Sequence, residues 1–173
     1  MKKRLLVAVL IYVSIHSAFS QNINRQSSEA SSDELKLNAF FLVLGALEVT
    51  YEHILNEKSG LGISLMVPIS KDVSEDVKYY VSPYYRFYFG EKQAAGFFLE
   101  GFGMLNSVKR EYFDIDDDFT TDFALGIGWG GKWLAKGGFT GELHMGIGRN
   151  LFENHDGDTE IIGKAGVSLG YRF

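Results

Sequence analysis

From Glu34 to Phe173, apolar side chains recur at every second position in eight separate stretches, which is the repeat of a β-strand with one wet and one dry face. The first stretch gives Leu35, Leu37, Ala39 and Phe41; the second Leu47, Val49 and Tyr51; the third Leu61, Ile63, Leu65 and Val67; the fourth Tyr79, Val81, Tyr85, Phe87 and Phe89. The fifth gives Phe97, Leu99 and Leu105; the sixth Phe123, Leu125, Ile127, Trp129 and Trp133; the seventh Phe139, Leu143, Met145 and Ile147; the eighth Ile161, Ala165, Val167, Leu169, Tyr171 and Phe173. None of these positions is charged. The opposite parity carries Lys36, Asn38, Glu48, Thr50, Glu52, Ser64, Arg86, Glu100, Lys132, Glu142, His144, Lys164, Ser168 and Arg172, with many glycines between them. No stretch shows the 3.6-residue period of an amphipathic helix, so the pattern predicts an all-β chain.

The links between the stretches alternate in length. Asn56–Ser59, Gly90–Ala95 and Ala135–Gly137 are short turns, whereas Ser70–Lys78, Lys109–Thr121 and Leu151–Glu160 are long and acidic. Short turns at one end and long loops at the other are the mark of an up-and-down barrel in a membrane. The link around Gly45 is the exception, short where parity asks for a long one. One uncharged face suits hydrocarbon, and an all-strand chain that spans lipid must close on itself to satisfy its backbone. The expected fold is therefore an eight-stranded antiparallel up-and-down transmembrane β-barrel over residues 34–173, with Gly126, Gly128, Gly146, Gly148, Gly166 and Gly170 leaving interior room for longer polar side chains. Pro83 lacks a ladder donor and predicts a bulge or irregular pairing in the fourth strand.

The amino terminus changes the compartment. Lys2, Lys3 and Arg4 precede an apolar run from Leu5 to Val13 and the small-x-small site Ala18-Phe19-Ser20, so residues 1–20 read as a signal peptide for export. Residues 21–33 are polar, Ser-rich and aperiodic, the composition of a flexible lead-in. Cysteine is absent, which excludes disulfides, thiol catalysis and a lipid anchor on cysteine. The formal charge is −5, and removal of the three positive residues of the signal leaves −8, a poor match to nucleic acid.

Candidate chemistry is concentrated on the inward parity. Four acids, Glu48, Glu52, Glu100 and Glu142, balance four bases, Arg86, Lys132, Lys164 and Arg172. In a narrow interior such equality predicts a closed ion-paired network rather than a pore lined by one sign. Phe98, Phe102, Tyr84 and Tyr88 share that parity and fill the remaining volume. Glu142 and His144 lie on one face of the seventh strand, as an acid and a histidine do in lipid A-trimming barrels, but no serine sits two residues from His144, and a polar-lumen histidine is the better reading. Asp114, Asp116, Asp117 and Asp118 in one loop, and Asn154, Asp156 and Asp158 in another, are oxygen ligands in supply but follow no complete EF-hand, so solvated loops are the expectation. Trp129, Trp133, Tyr51, Tyr85 and Phe89 fit an interfacial girdle, and His53 and His155 fit surface positions. No cofactor motif is present.

The segment Gly166-Val167-Ser168-Leu169-Gly170-Tyr171-Arg172-Phe173, ending on an aromatic residue, resembles the terminal strand of bacterial outer-membrane barrels. Ser82-Pro83-Tyr84-Tyr85-Arg86-Phe87-Tyr88-Phe89 and Gly96-Phe97-Phe98-Leu99-Glu100-Gly101 resemble segments of small Bacteroidota outer-membrane barrels. The resemblance implies outer-membrane location, contact with membrane lipid and lipopolysaccharide, and a role for Phe173 in the signal read by the barrel assembly machinery. It implies no catalytic activity. A structural or interaction role through the external loops is the leading expectation, with small-solute or apolar-solute transport as the alternative; a soluble lipocalin-like barrel and a lipid A-modifying enzyme stand behind both.

Overall fold

The computed structural model describes residues 33–109, 119–151 and 161–173. Eight strands pair antiparallel in sequence order and close on themselves: β1 (Asp33–Asn38), β2 (Ala46–Asn56), β3 (Ser59–Pro68), β4 (Val77–Tyr88), β5 (Gly96–Lys109), β6 (Phe119–Leu134), β7 (Phe139–Asn150) and β8 (Ile161–Arg172). β8 returns to β1 through the register Glu34↔Arg172 to Asn38↔Ser168. Asp33, Phe173 and the turns β2–β3, β4–β5 and β6–β7 lie at one end, here the turn end. The longer connections lie at the loop end, and the predicted signal segment, lead-in and acidic loop residues 114–118 and 154–158 fall outside the described residues.

Register fixes the shape of this barrel. From Glu34 the paired positions run through Glu52, Gly62, Tyr84, Phe102, Gly126 and Gly148 to Ile162, and the next position on the β1 line is Leu44, ten residues on from 34. A shear of ten on eight strands gives a tilt of about 40° and a backbone radius of about 8 Å for ordinary strand spacing and rise. Such a lumen holds side chains and little else.

The facing is that of a barrel turned inside out relative to a soluble one. Leu65, Leu99, Leu125, Leu143, Val167 and their neighbours of the same parity point outward and are exposed, while Glu34, Glu48, Glu52, Arg86 and Lys132 are buried at 1% exposure or less. A lipocalin-like barrel has the opposite arrangement. Outward aromatic side chains gather at the turn end, where Phe89 contacts Phe87 and Phe97 and Phe139 meets Tyr171 edge-on. Trp129, Trp133, Tyr51 and Tyr85 are likewise outward and exposed.

Inward glycines are matched to large residues on neighbouring strands. A Cβ on Gly126 would lie 2.3 Å from Phe102 Cζ, one on Gly62 2.3 Å from Tyr84 Cζ, one on Gly130 2.6 Å from Phe98 Cζ, and one on Gly170 2.5 Å from Lys36 Cγ. Each missing side chain is thus the space that another occupies.

The structure departs from the alternation in three places. β1 ends at Asn38 and the expected strand positions Ala39 and Phe41 belong to a short helix, α1 (Ala39–Leu44), whose first amides are accepted by the Asn38 side chain and whose end is set by Gly45 in the left-handed region at φ 93°. Six consecutive apolar residues have no period to read, so alternation there is an accident of composition. A second short helix, α2 (Lys71–Asp76), occupies the β3–β4 connection, with Ser70 accepting from Val73 N–H. Of the two outcomes expected at Pro83 the structure has irregular pairing and not a bulge: register with β5 is the same at Val81↔Leu105 and Tyr84↔Phe102, and the pairs between them lapse. Ser82 Oγ donates to the Gly103 carbonyl at 2.9 Å, supplying a donor beside the position where proline has none. The register shift in β4 falls instead at Val77/Tyr79.

Space therefore sorts the glycines. Gly126→Ala should lower stability by about 1–3 kcal/mol through overpacking against Phe102, whereas Gly101→Ala and Gly141→Ala, where an added Cβ meets nothing within 4 Å, should leave it unchanged or raised. Urea unfolding followed by the fluorescence of Trp129 and Trp133 measures both; equal losses at all three positions would contradict the packing.

Candidate functional site: a charged lumen

Alternation brings the inward charges of seven strands to the barrel axis, and the shear decides which of them meet. Glu52 of β2 is the centre. Its Oε2 accepts from Lys36 Nζ at 2.5 Å, Tyr84 Oη at 3.0 Å and Arg86 Nη1 at 3.2 Å, and its Oε1 from Lys132 Nζ at 2.9 Å and from Tyr88 Oη. Glu142 Oε2 accepts from Arg86 Nη1 at 2.7 Å and Lys36 Nζ at 2.8 Å. Glu100 bridges Arg86 Nε at 2.6 Å and Lys164 Nζ at 2.7 Å.

Toward the turn end the web continues through β1. Glu34 Oε2 accepts from Lys132 Nζ at 2.9 Å, and Glu34 Oε1 from Arg172 Nε at 2.7 Å and Nη2 at 2.5 Å. Arg172 then donates to the carbonyls of Gln93 (2.9 Å) and Ala94 (3.0 Å) in the β4–β5 turn. That turn folds beneath the lumen: Ala94 N–H donates to the Glu57 carbonyl at 2.8 Å, and Ala94 and Ala95 are buried with Ile54, Tyr88 and Phe98. Ala94 adopts φ 42°, a left-handed conformation that costs a non-glycine residue energy and is held by these contacts.

Aromatic rings complete the solvation of the cations. The Arg86 guanidinium lies between the Tyr84 ring at 4.3 Å and the Phe98 ring at 4.2 Å; Lys132 Nζ stands 4.5 Å from the Tyr88 ring, and Lys164 Nζ 4.8 Å from that of Tyr84 and 5.1 Å from that of Phe102. Each ring face offers partial negative charge where water is excluded. Tyr84, Tyr88, Phe98 and Phe102 are thus ligands of the cations as well as filling.

Of the eight charges singled out by parity, Glu52, Arg86, Glu100, Lys132, Glu142, Lys164 and Arg172 are joined in one web, while Glu48 lies apart, accepting from Asn38 Nδ2 at 2.6 Å. Two further members, Glu34 and Lys36, come from β1, so the web holds four carboxylates and five ammonium or guanidinium groups. Both have the inward parity. The short, capped first strand hid their depth.

His144 is buried, with Nδ1 3.2 Å from Glu142 Oε1 in poor hydrogen-bond geometry. The loop-end half of the lumen is drier: Ala46, Met66, Tyr80, Tyr84, Phe102, Met104 and Ala124 pack together, with Phe41, Val73, Val77 and Ile162 against them. His53 is exposed and pairs with Asp33 at 2.7 Å, whose carboxylate also accepts from Tyr51 Oη at 2.6 Å. Phe173 is exposed; its backbone exchanges hydrogen bonds with Asp33 (3.3 and 2.9 Å), extending the β1–β8 seam.

The fold matches the crystal structure of the N-terminal β-barrel domain of Pseudomonas aeruginosa OprF with a TM-score of 0.60 at 14% identity, covering 83% of this chain and 98% of that one. At that identity the likeness is one of fold. No protein-family model matches the chain, and no curated protein does.

Removing one member of a buried web leaves its partners uncompensated. Glu52→Gln should destabilise the barrel by about 3–5 kcal/mol, while His53→Ala, which breaks an exposed pair, should cost about 0–1 kcal/mol. Urea titration of both variants in the same lipid checks the ranking, and an Glu52→Gln barrel as stable as the parent would mean that the web does not hold the lumen together.

Proposed function

We propose that the protein is an integral outer-membrane barrel with a sealed lumen, acting as a structural or interaction element that presents its loops outside the cell. The observation that carries this reading is the inversion of polarity. In water, the wall would expose a continuous belt of Leu, Ile, Val, Phe and Trp, with Ile127 at 67% and Leu169 at 63% exposure, while burying at least nine charges inside. In a bilayer the same belt meets hydrocarbon, and all eight strands pair with both neighbours around the closed barrel, over part of their length at the β1–β8 seam. The likeness in fold to an outer-membrane barrel domain supports it.

The web also bears on transport. It crosses the lumen from Lys164 to Arg172 without a gap in its pairing, and the β4–β5 turn lies across the end of it. Axial flow would have to break several charge-assisted hydrogen bonds at once. A lumen held this way fits a support for external loops better than a channel.

Two measurements test the reading. Leu143→Arg and Val167→Arg, both mid-wall, should each destabilise the vesicle-inserted barrel by about 2–4 kcal/mol; parent-like stability would mean that the wall does not face lipid. In planar bilayers the refolded parent should be electrically silent and Arg86→Ala should show steps, whereas stable conductance from the parent would overturn the sealed lumen.

A further inference from the structure

One stretch of the wall is not made of strand. β8 keeps its ladder to β7 from Ile161 to Tyr171, but its ladder to β1 spans only Ser168 to Arg172. Extended on the same register, residues 39–45 would have covered the β8 edge from Val167 to Ile161, a length of about 23 Å at strand rise. As a helix, α1 covers about 9 Å. The loop-end half of the wall between β8 and β2 is therefore closed by side chains of α1, which packs on both strands.

The helix has two sides. Phe41 faces in: its ring lies 6.3 Å from that of Tyr80, and it packs against the dry cluster of the lumen. Val43, half a helical turn away, is 87% exposed, and Phe40, Leu42 and Leu44 flank it at about half exposure. No charge or hydroxyl occurs between Ala39 and Gly45. Both ends are fixed. Asn38 caps the first turn and its Nδ2 reaches the Ala165 carbonyl on the β8 edge at 3.4 Å, while the Gly45 carbonyl accepts from Ile69 N–H at 2.8 Å and Ser70 N–H at 2.9 Å. Ile69 continues the outward parity of β3 after Val67 and is itself exposed. The exposed side of α1 thus joins the uncharged outward belt at Leu37, Val67, Val167 and Ile69.

We infer that α1 is a lipid-contact element: the acyl chains of the leaflet at the loop end pack on Phe40, Val43 and Leu44, in the notch left by the missing half of β1. A short, wholly apolar helix clamped at both ends and continuous with the wall fits hydrocarbon, where its exposed side chains need no polar partner and its end groups are met by Asn38 and by the Ile69 and Ser70 amides. The inference rests on the membrane reading above and goes beyond it in assigning a loop-end connection to the bilayer instead of to the external solution.

The chain has no cysteine, so a single one can be placed at will. Val43→Cys, Leu143→Cys (mid-wall) and Lys136→Cys (exposed in the β6–β7 turn) would each carry nitrobenzoxadiazole in phosphatidylcholine nanodiscs, which leave both ends open to solutes. The expected result is that the Val43 probe emits to the blue of the Lys136 probe, is quenched by a nitroxide on the acyl chains as the Leu143 probe is, and is protected from iodide. Behaviour like the Lys136 probe, with Leu143 still in lipid, would overturn the lipid-contact role of α1 alone. If Leu143 also tracked Lys136, the membrane reading would fall with it.

Discussion

The constraint on which the structure depends is that a charge inside an eight-stranded barrel has no water to turn to. A lumen about 8 Å in backbone radius holds Glu34, Glu52, Glu100 and Glu142 with Lys36, Arg86, Lys132, Lys164 and Arg172, and each must find its counter-charge on another strand. Isolated, any of them would carry a desolvation cost of several kcal/mol. Joined, they tie distant segments of sequence together: Arg172 to Glu34 across the closing seam, Lys36 to Glu142 across the lumen, Arg86 to Glu52 and Glu100 on either side. The web is thus a register device. A slip of one residue on any strand would turn its charge into the outward belt and put an apolar residue inside.

Glycine and the aromatic residues solve the volume problem that the web creates. Strands β3, β6, β7 and β8 carry glycine on the inward parity, and the space is taken by Tyr84, Phe98, Phe102 and Lys36 from elsewhere on the barrel. The rings do two things at once. They fill volume, and they stand over Arg86, Lys132 and Lys164 in addition to the carboxylates that pair with them. The two halves of the lumen differ in consequence: charged and hydrogen-bonded toward the turn end, dry around Met66, Tyr80 and Met104 toward the loop end.

That division matches what closes each end. Below, the β4–β5 turn is held by polar bonds from Arg172 to the Gln93 and Ala94 carbonyls. Above, Phe41 of α1 and Val73 of α2 reach into the dry cluster. The helices replace strand beside this apolar cluster, where Phe41 and Val73 pack, while the pairs Asn38–Glu48 and Asn106–Asn150 carry the hydrogen bonds of the same half. Asn38 accepts from the Phe40 and Phe41 amides and Ser70 from the Val73 amide, so each short helix has first-turn donors met by the side chain that precedes it.

Alternation alone determined that the chain is eight strands with one uncharged face, because a period of two separates the faces of a sheet whatever the partners are. It also placed Glu52, Arg86, Glu100, Lys132, Glu142, Lys164 and Arg172 together on the other face, with the inward glycines among them. Local pattern could not tell strand from helix over Ala39–Leu44, since six apolar residues satisfy both periods, and it set Glu48 among the ion pairs because parity carries no height along the axis. Pro83 left a bulge or irregular pairing open, because the sequence shows the missing donor and not the register, and the structure has the irregular pairing. Only the closed structure decided the shear of ten, and with it that Glu52 comes within reach of Tyr84, Lys36, Arg86 and Lys132. Height is a property of how eight strands are staggered around a ring, and that stagger is set by all the pairings at once.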